Sequence, residues 1–193
     1  MQVIKAGDCK RMPWKNGVGE TVEIAISPGS AGLDDFDWRM SMAHVDTDGP
    51  FSAFAGVHRT LAIEDGAGLT LSIQGRRPIT LTKESEPLTF PGDVATSAVR
   101  RNGRVTDLNV MTRRGRFEHQ MERLDFSGSV EVNVDATVAL LICVTRGVRI
   151  ESQGGETRLA TLDTLRCDGA TGPLRITSEA GPAHCYLTRL ERC

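Results

Sequence analysis

Trp38-Arg39-Met40-Ser41-Met42-Ala43-His44-Val45, followed closely by the turn residues Asp48-Gly49-Pro50, sets the fold class. The run alternates: Trp38, Met40 and Met42 share one face of an extended chain, Arg39 and Ser41 the other. Val22-Glu23-Ile24-Ala25-Ile26 alternates too, as do Leu69 to Ile73, Ile79-Thr80-Leu81 and Val105 to Val110. Glu131 to Val134, Val138 to Thr145, Val148-Arg149-Ile150, Leu174-Arg175-Ile176 and Tyr186 to Leu190 continue the pattern. Clusters such as Asp65-Gly66-Ala67-Gly68, Pro91-Gly92-Asp93 and Gly169 to Pro173 separate the runs. Short strands about 8–12 residues apart with turns between them predict an all-β sandwich or barrel. Asn102-Gly103 reads as a two-residue hairpin turn. Arg116 to Leu124 suits one or two helical turns or an irregular strand equally well, and no long helix is expected.

The 193 residues suffice for a proper core, and 39% hydrophobic with 25% charged residues is an ordinary globular balance. A net charge of −2 argues against a general nucleic-acid binder. No apolar run is long enough for a membrane helix, and Met1-Gln2-Val3-Ile4-Lys5 lacks a signal peptide's regions, so a cytoplasmic protein off the membrane is expected. The five cysteines form no CxxC and read as reduced, mostly structural thiols, with Cys143 in the core. Of the 23 basic residues 19 are arginine, the side chain that grips carboxylate or phosphate in a planar, bidentate way.

Three blocks crowd special residues into the first 115 positions: Met12 to Thr21, Trp38 to Arg59, and Asp107 to Arg114. In the third, Leu108 and Val110 share one face while Asp107, Asn109, Met111 and Arg113 share the other. Two strands thus each offer a face with an arginine and a small hydrogen-bonding group. If both line one interior, they form a pocket suited to a small carboxylate. In the first block Lys15 and Asn16 precede Gly17 and Gly19, and Trp14 offers a flat wall with an indole donor. That block reads equally as part of a ligand site or as a core tryptophan beside a simple turn.

The series Pro13-Trp14-Lys15-Asn16-Gly17-x-Gly19-x-Thr21, Phe36-Asp37-Trp38-Arg39-x-Ser41-x-Ala43, Gly49-Pro50-Phe51-Ser52-x-Phe54-x-Gly56-x-x-Arg59, Phe90-x-Gly92-Asp93 and Asp107-x-Asn109-Val110-Met111-x-Arg113 resembles the HutD/Ves family of the cupin superfamily. The resemblance is dense over roughly residues 10–115 and general in character beyond. It departs at Phe54-Ala55-Gly56, where the family usually reads Phe-Pro-Gly. It implies an all-β bicupin of the RmlC-like kind: two jelly-roll-like β-barrels packed in one bacterial chain, 1–193 forming a single unit. The first barrel is expected over roughly 1–114 and the second over 115–193. The resemblance also implies formylglutamate or a related histidine-degradation intermediate as ligand, with a sensing or regulatory role in histidine utilisation or stress response.

Cupins often hold a metal through a His-x-His and Glu set plus a later histidine. Here the corresponding stretch, Ala55-Gly56-Val57-His58-Arg59, has one histidine and the stretch after Phe90-Pro91-Gly92-Asp93 has none. His44, His58, His119 and His184 are scattered, so no metal and no other cofactor is expected.

The leading reading is therefore a metal-free module that binds a small carboxylate. Arg39, Arg59 and Arg113 grip the ligand, Ser41, Ser52 and Asn109 orient it, Trp14, Phe54 and Met111 supply apolar wall, and Lys15 and Asn16 close one end. Removing one arginine from an empty pocket should relieve like-charge repulsion, leaving a folded variant. The alternative is a metal-free enzyme on a small carboxylic acid with Glu23 or Asp107 as base; both more simply hold the arginines as ion-pair partners. A homodimer is expected from fold analogy alone.

Overall fold

The computed structural model describes residues 1–14 and 19–193. The chain divides into two compact units, 10–118 and 1–9 with 119–193. Residues 1–9, expected in the first half, thus belong with the second: the strand Gln2–Ile4 pairs antiparallel with Thr164–Asp168. Lys5 Nζ donates to Asp163 Oδ2 at 2.7 Å and the Ala6 amide to Oδ1 at 3.0 Å, tying that segment down.

Each unit is a pair of antiparallel sheets rather than a closed barrel. In the unit 10–118 a six-stranded sheet runs, in spatial order, Lys10–Pro13, Gly19–Ser27, Trp38–Val45, Val105–Arg113, Val57–Asp65 and Leu88–Pro91. A four-stranded sheet runs Gly49–Pro50, Thr96–Arg100, Leu69–Ile73 and Ile79–Leu81. Leu61, Ile63, Phe90 and Val105 of the first sheet pack with Leu69, Leu71, Ile73, Leu81 and Ala98 of the second as one core. The other unit repeats the plan with a five-stranded and a four-stranded sheet. Its core joins Leu141, Cys143, Cys185 and Leu187 to Val148, Ile150, Leu174 and Ile176.

Of the stretch Arg116 to Leu124, all but the turn residue Arg116 lies in the strand Phe117–Phe126, and among the described residues the helical segment is one short 3-10 turn at Ala6–Asp8. No helix among them is long and apolar enough to cross a membrane. Asn102-Gly103 does turn the chain, with Gly103 at φ +61°, but it makes no hairpin. The strands on either side, Thr96–Arg100 and Val105–Arg113, pair in different sheets, so this turn carries the chain across the sandwich. All five cysteines are unbridged, and Cys143 is fully buried.

Candidate anion site in the first unit

The register of the six-stranded sheet decides which side chains meet. Met111 lies opposite Arg39 on one neighbour and Arg59 on the other; Asn109 lies opposite Ser41 and Leu61; Asp107 lies opposite Ala43 and Ile63. Beyond them Glu23 lies opposite Ser41 and Thr21 opposite Ala43, with a bulge between Glu23 and Ala25. Residues in one rung share a face. The inner face therefore carries two arginines flanking a methionine, then a serine–asparagine rung, then Asp107. At this end the sandwich interior is not filled by core residues but encloses a cavity of about 560 Å³.

Trp14, Arg39, Ser41, Ser52, Phe54, Arg59, Asn109 and Met111 all line that cavity, as does Asp107. Glu23 is not among the lining residues; it supports one of them. Arg39 Nε donates to Glu23 Oε2 at 2.7 Å and Arg39 Nη1 to Ser41 Oγ at 3.2 Å. Arg59 Nε donates to Asn109 Oδ1 at 2.9 Å, and Asn109 Nδ2 donates to Asp107 Oδ1 at 3.2 Å. The Arg59 guanidinium also sits 4.6 Å from the centre of the Phe51 ring and 5.7 Å from that of Phe90. Arg39 is 4% exposed, Arg59 7%, Asn109 3% and Asp107 1%.

Among the described residues no hydrogen bond engages Nη2 of Arg39 or either terminal nitrogen of Arg59. A guanidinium has five N–H donors, so several cationic donors remain for whatever enters. Burial lowers the Arg59 pKa to about 10, against the pull of Asp107 and with a push from Arg39. Burial likewise raises Asp107 to about 6, opposed by Arg59 and by the Asn109 hydrogen bond.

Arg113, expected as a third arm of the clamp, is not a lining residue. Its guanidinium turns to the loop before Trp38, donating to the carbonyls of Phe36 at 3.0 Å and Asp34 at 2.6 Å, with a longer contact to Ala55 at 3.5 Å. It also stacks 5.4 Å from the Phe36 ring centre. Strand parity placed its Cβ on the inner face, but it ends the strand, and a long side chain there can reach loop carbonyls. Lys15 and Asn16 lie outside the described residues. Trp14 donates its indole N–H to Thr21 Oγ1 at 2.9 Å, and its ring lies over Gly19, where an added Cβ would come 2.5 Å from Cε3. The glycine is thus required by the tryptophan's approach.

Sequence reasoning missed several lining residues. Thr21, Ala43 and Val45 follow from the register of strands already recognised. Met12, Pro13, Pro50 and Phe51 belong to the motif blocks without having been singled out as lining residues, and the loop residue Leu33, 48% exposed at the rim, carries no local signal. The histidines do not supply a cupin metal set. His58 is exposed, His44 bonds Thr106 Oγ1 at 3.0 Å, and among the described residues no three His, Cys, Asp or Glu side chains converge. The donor set does not fit a metal.

Paired antiparallel sheets around an internal cavity define a cupin-like β fold, and a cupin 2 conserved barrel domain protein from Leptotrichia buccalis agrees with it. At 11% identity and a TM-score of 0.59, over 94% of this chain and 96% of that one, the likeness is one of fold alone. The chain belongs to the HutD family, whose model matches residues 6–185. It is 33% identical over 172 residues to an uncharacterized 21.2 kDa protein in the hutC 3′ region of Pseudomonas putida, covering 88% of this chain and 87% of that one. Protein Ves of Citrobacter koseri is 38% identical over 123 residues, 61% of this chain and 62% of its own length. The structure of HutD from Pseudomonas fluorescens SBW25 superposes with a TM-score of 0.84 at 31% identity, covering 100% of this chain and 98% of that one.

Proposed function

We propose that this chain is a metal-free bicupin, each unit one cupin module, that binds a small carboxylate in the first unit's cavity and acts in sensing or regulation. One observation carries the reading: two buried arginines present, to a cavity of about 560 Å³, terminal N–H groups that no hydrogen bond engages among the described residues. That volume is in the range of small-molecule sites, typically about 300–1,000 Å³. Fixed guanidinium forks match carboxylate oxygens. Phe51, Phe54 and Trp14 would cover the ligand's carbon chain. The setting is histidine utilisation, supported by the relative in the hutC 3′ region and by the HutD structure, which makes formylglutamate the first ligand to try. Stress response, which the family resemblance also implies, is a second setting. The protein is read as cytoplasmic, without nucleic-acid or membrane partners, and as a homodimer.

The test is a thermal-shift panel of small mono- and dicarboxylates. A ligand at about 100 times its dissociation constant adds about 2.7 kcal/mol if it binds only the folded state. At about 2–4 °C per kcal/mol for a chain of this size, formylglutamate should raise Tm by roughly 5–10 °C. No shift with any acid of the panel contradicts the reading.

Asp107 favours a second reading, an enzyme acting on the same class of acid. A carboxyl held near neutral pH beside a cavity suits proton transfer, whereas Glu23 is committed to Arg39. Turnover of a panel acid, lost in Asp107→Asn, would establish it.

A further inference from the structure

We propose that Asp107 is a proton-carrying specificity residue: an anion enters the cavity together with one proton, taken from solvent and held on Asp107 Oδ2. This rests on the carboxylate-binding reading above. The asparagine between them fixes the polarity of the chain Arg59–Asn109–Asp107. Arg59 Nε can only donate, so Asn109 Oδ1 accepts at 2.9 Å and its NH₂ must face Asp107 Oδ1, 3.2 Å away. Oδ1 is thereby an acceptor in either protonation state. Oδ2 makes no hydrogen bond among the described residues, and Asp107 lines the cavity. A proton on Asp107 belongs on Oδ2, where it is available to a ligand oxygen.

Charge balance gives the reason for the proton. Among the described residues, the charged groups around this cavity besides Asp107 are Arg59 from the strand Val57–Asp65, Arg39 from Trp38–Val45 and, behind Arg39, Glu23 from Gly19–Ser27. The segment 50–54 contributes no titratable side chain. His44, one residue beyond Ala43, is engaged with Thr106 at 3.0 Å. With Asp107 ionised these described groups are two cations and two anions, so each entering carboxylate group adds a negative charge that they leave unbalanced, beside side chains that are almost fully buried. Protonating Asp107 removes one of the negative charges and replaces a repelling oxygen by a donor. The rise of the empty-site Asp107 to about 6 means the proton is taken up readily near neutral pH. The same device sets specificity: an acid presenting a second acceptor oxygen gains from the proton, while an acid carrying an ammonium group gains from its absence.

Titration calorimetry with N-formyl-L-glutamate from pH 5 to pH 8 reads this directly. The wild-type Kd should be flat below about pH 6 and weaken by about tenfold per pH unit above it, as one-proton linkage requires. At pH 7 the heats in phosphate and Tris buffers should differ by the uptake of close to one proton. Asp107→Asn, of the same shape and always neutral, should bind with no pH slope and, at pH 8, about tenfold or more tighter than wild type. A wild-type Kd flat across the range, or a slope kept in Asp107→Asn, overturns the proton linkage while leaving the carboxylate site standing. Absence of binding at pH 5 overturns the carboxylate reading itself, and the linkage with it.

Discussion

Arg59→Met is expected to weaken carboxylate binding by on the order of 100-fold and to remove the ligand-induced thermal shift. Methionine retains a flexible stem against Phe51 and Phe90 but none of the donors. Truncating one partner of a buried, hydrogen-bonded charge pair costs about 2–5 kcal/mol, and about 1.4 kcal/mol is a factor of ten. The site is 7% exposed at Arg59, so water cannot replace the lost donors cheaply. Arg113→Ala is the control. Its bonds run to loop carbonyls outside the cavity, so the variant should be about 1–2 kcal/mol less stable yet keep the full ligand shift. A wild-type shift in Arg59→Met, or its loss in Arg113→Ala alone, would reverse these roles.

Arg39→Met is expected to lower the unfolding free energy by about 2–4 kcal/mol, seen as a fall in Tm of about 5–15 °C. Sequence reasoning anticipated relief of repulsion instead. The structure shows why the sign changes: Arg39 is held at 2.7 Å by Glu23, whose side chain is only 15% exposed, so removing the cation strands a carboxylate. The magnitude sits toward the lower end of what breaking a fully buried pair costs because Glu23 retains some contact with water. Adding Glu23→Gln to Arg39→Met should recover at least half of the loss in thermal denaturation. A double variant as unstable as the single one would mean that lost packing, not the unpaired charge, sets the cost.

The strands Trp38–Val45 and Val105–Arg113 were legible because polar and apolar residues alternate along them, one face turned to the cavity. Val57–Asp65, which carries Arg59, escaped the same reading. From Arg59 to Ile63 it is buried on both faces, so Thr60, Leu61, Ala62 and Ile63 give no alternation. Arg59 entered the candidate site through the family resemblance rather than through periodicity. Arg113 shows the opposite failure: parity gives the direction of Cβ, but the far end of the side chain answers to loop carbonyls whose position depends on the whole fold. Gln2–Ile4 and the Asn102-Gly103 turn were misplaced because their partners are remote in sequence or lie in another sheet. Leu33, an apolar residue in a loop, looks like any other until the register below it is known.

The decisive measurement is a crystal structure of the protein in complex with formylglutamate. A ligand carboxylate is expected within hydrogen-bonding distance of the terminal nitrogens of Arg39 and Arg59, with a second ligand oxygen facing Asp107. Ligand density in the other unit, or on surface arginines with the first unit's cavity holding only solvent, would contradict it.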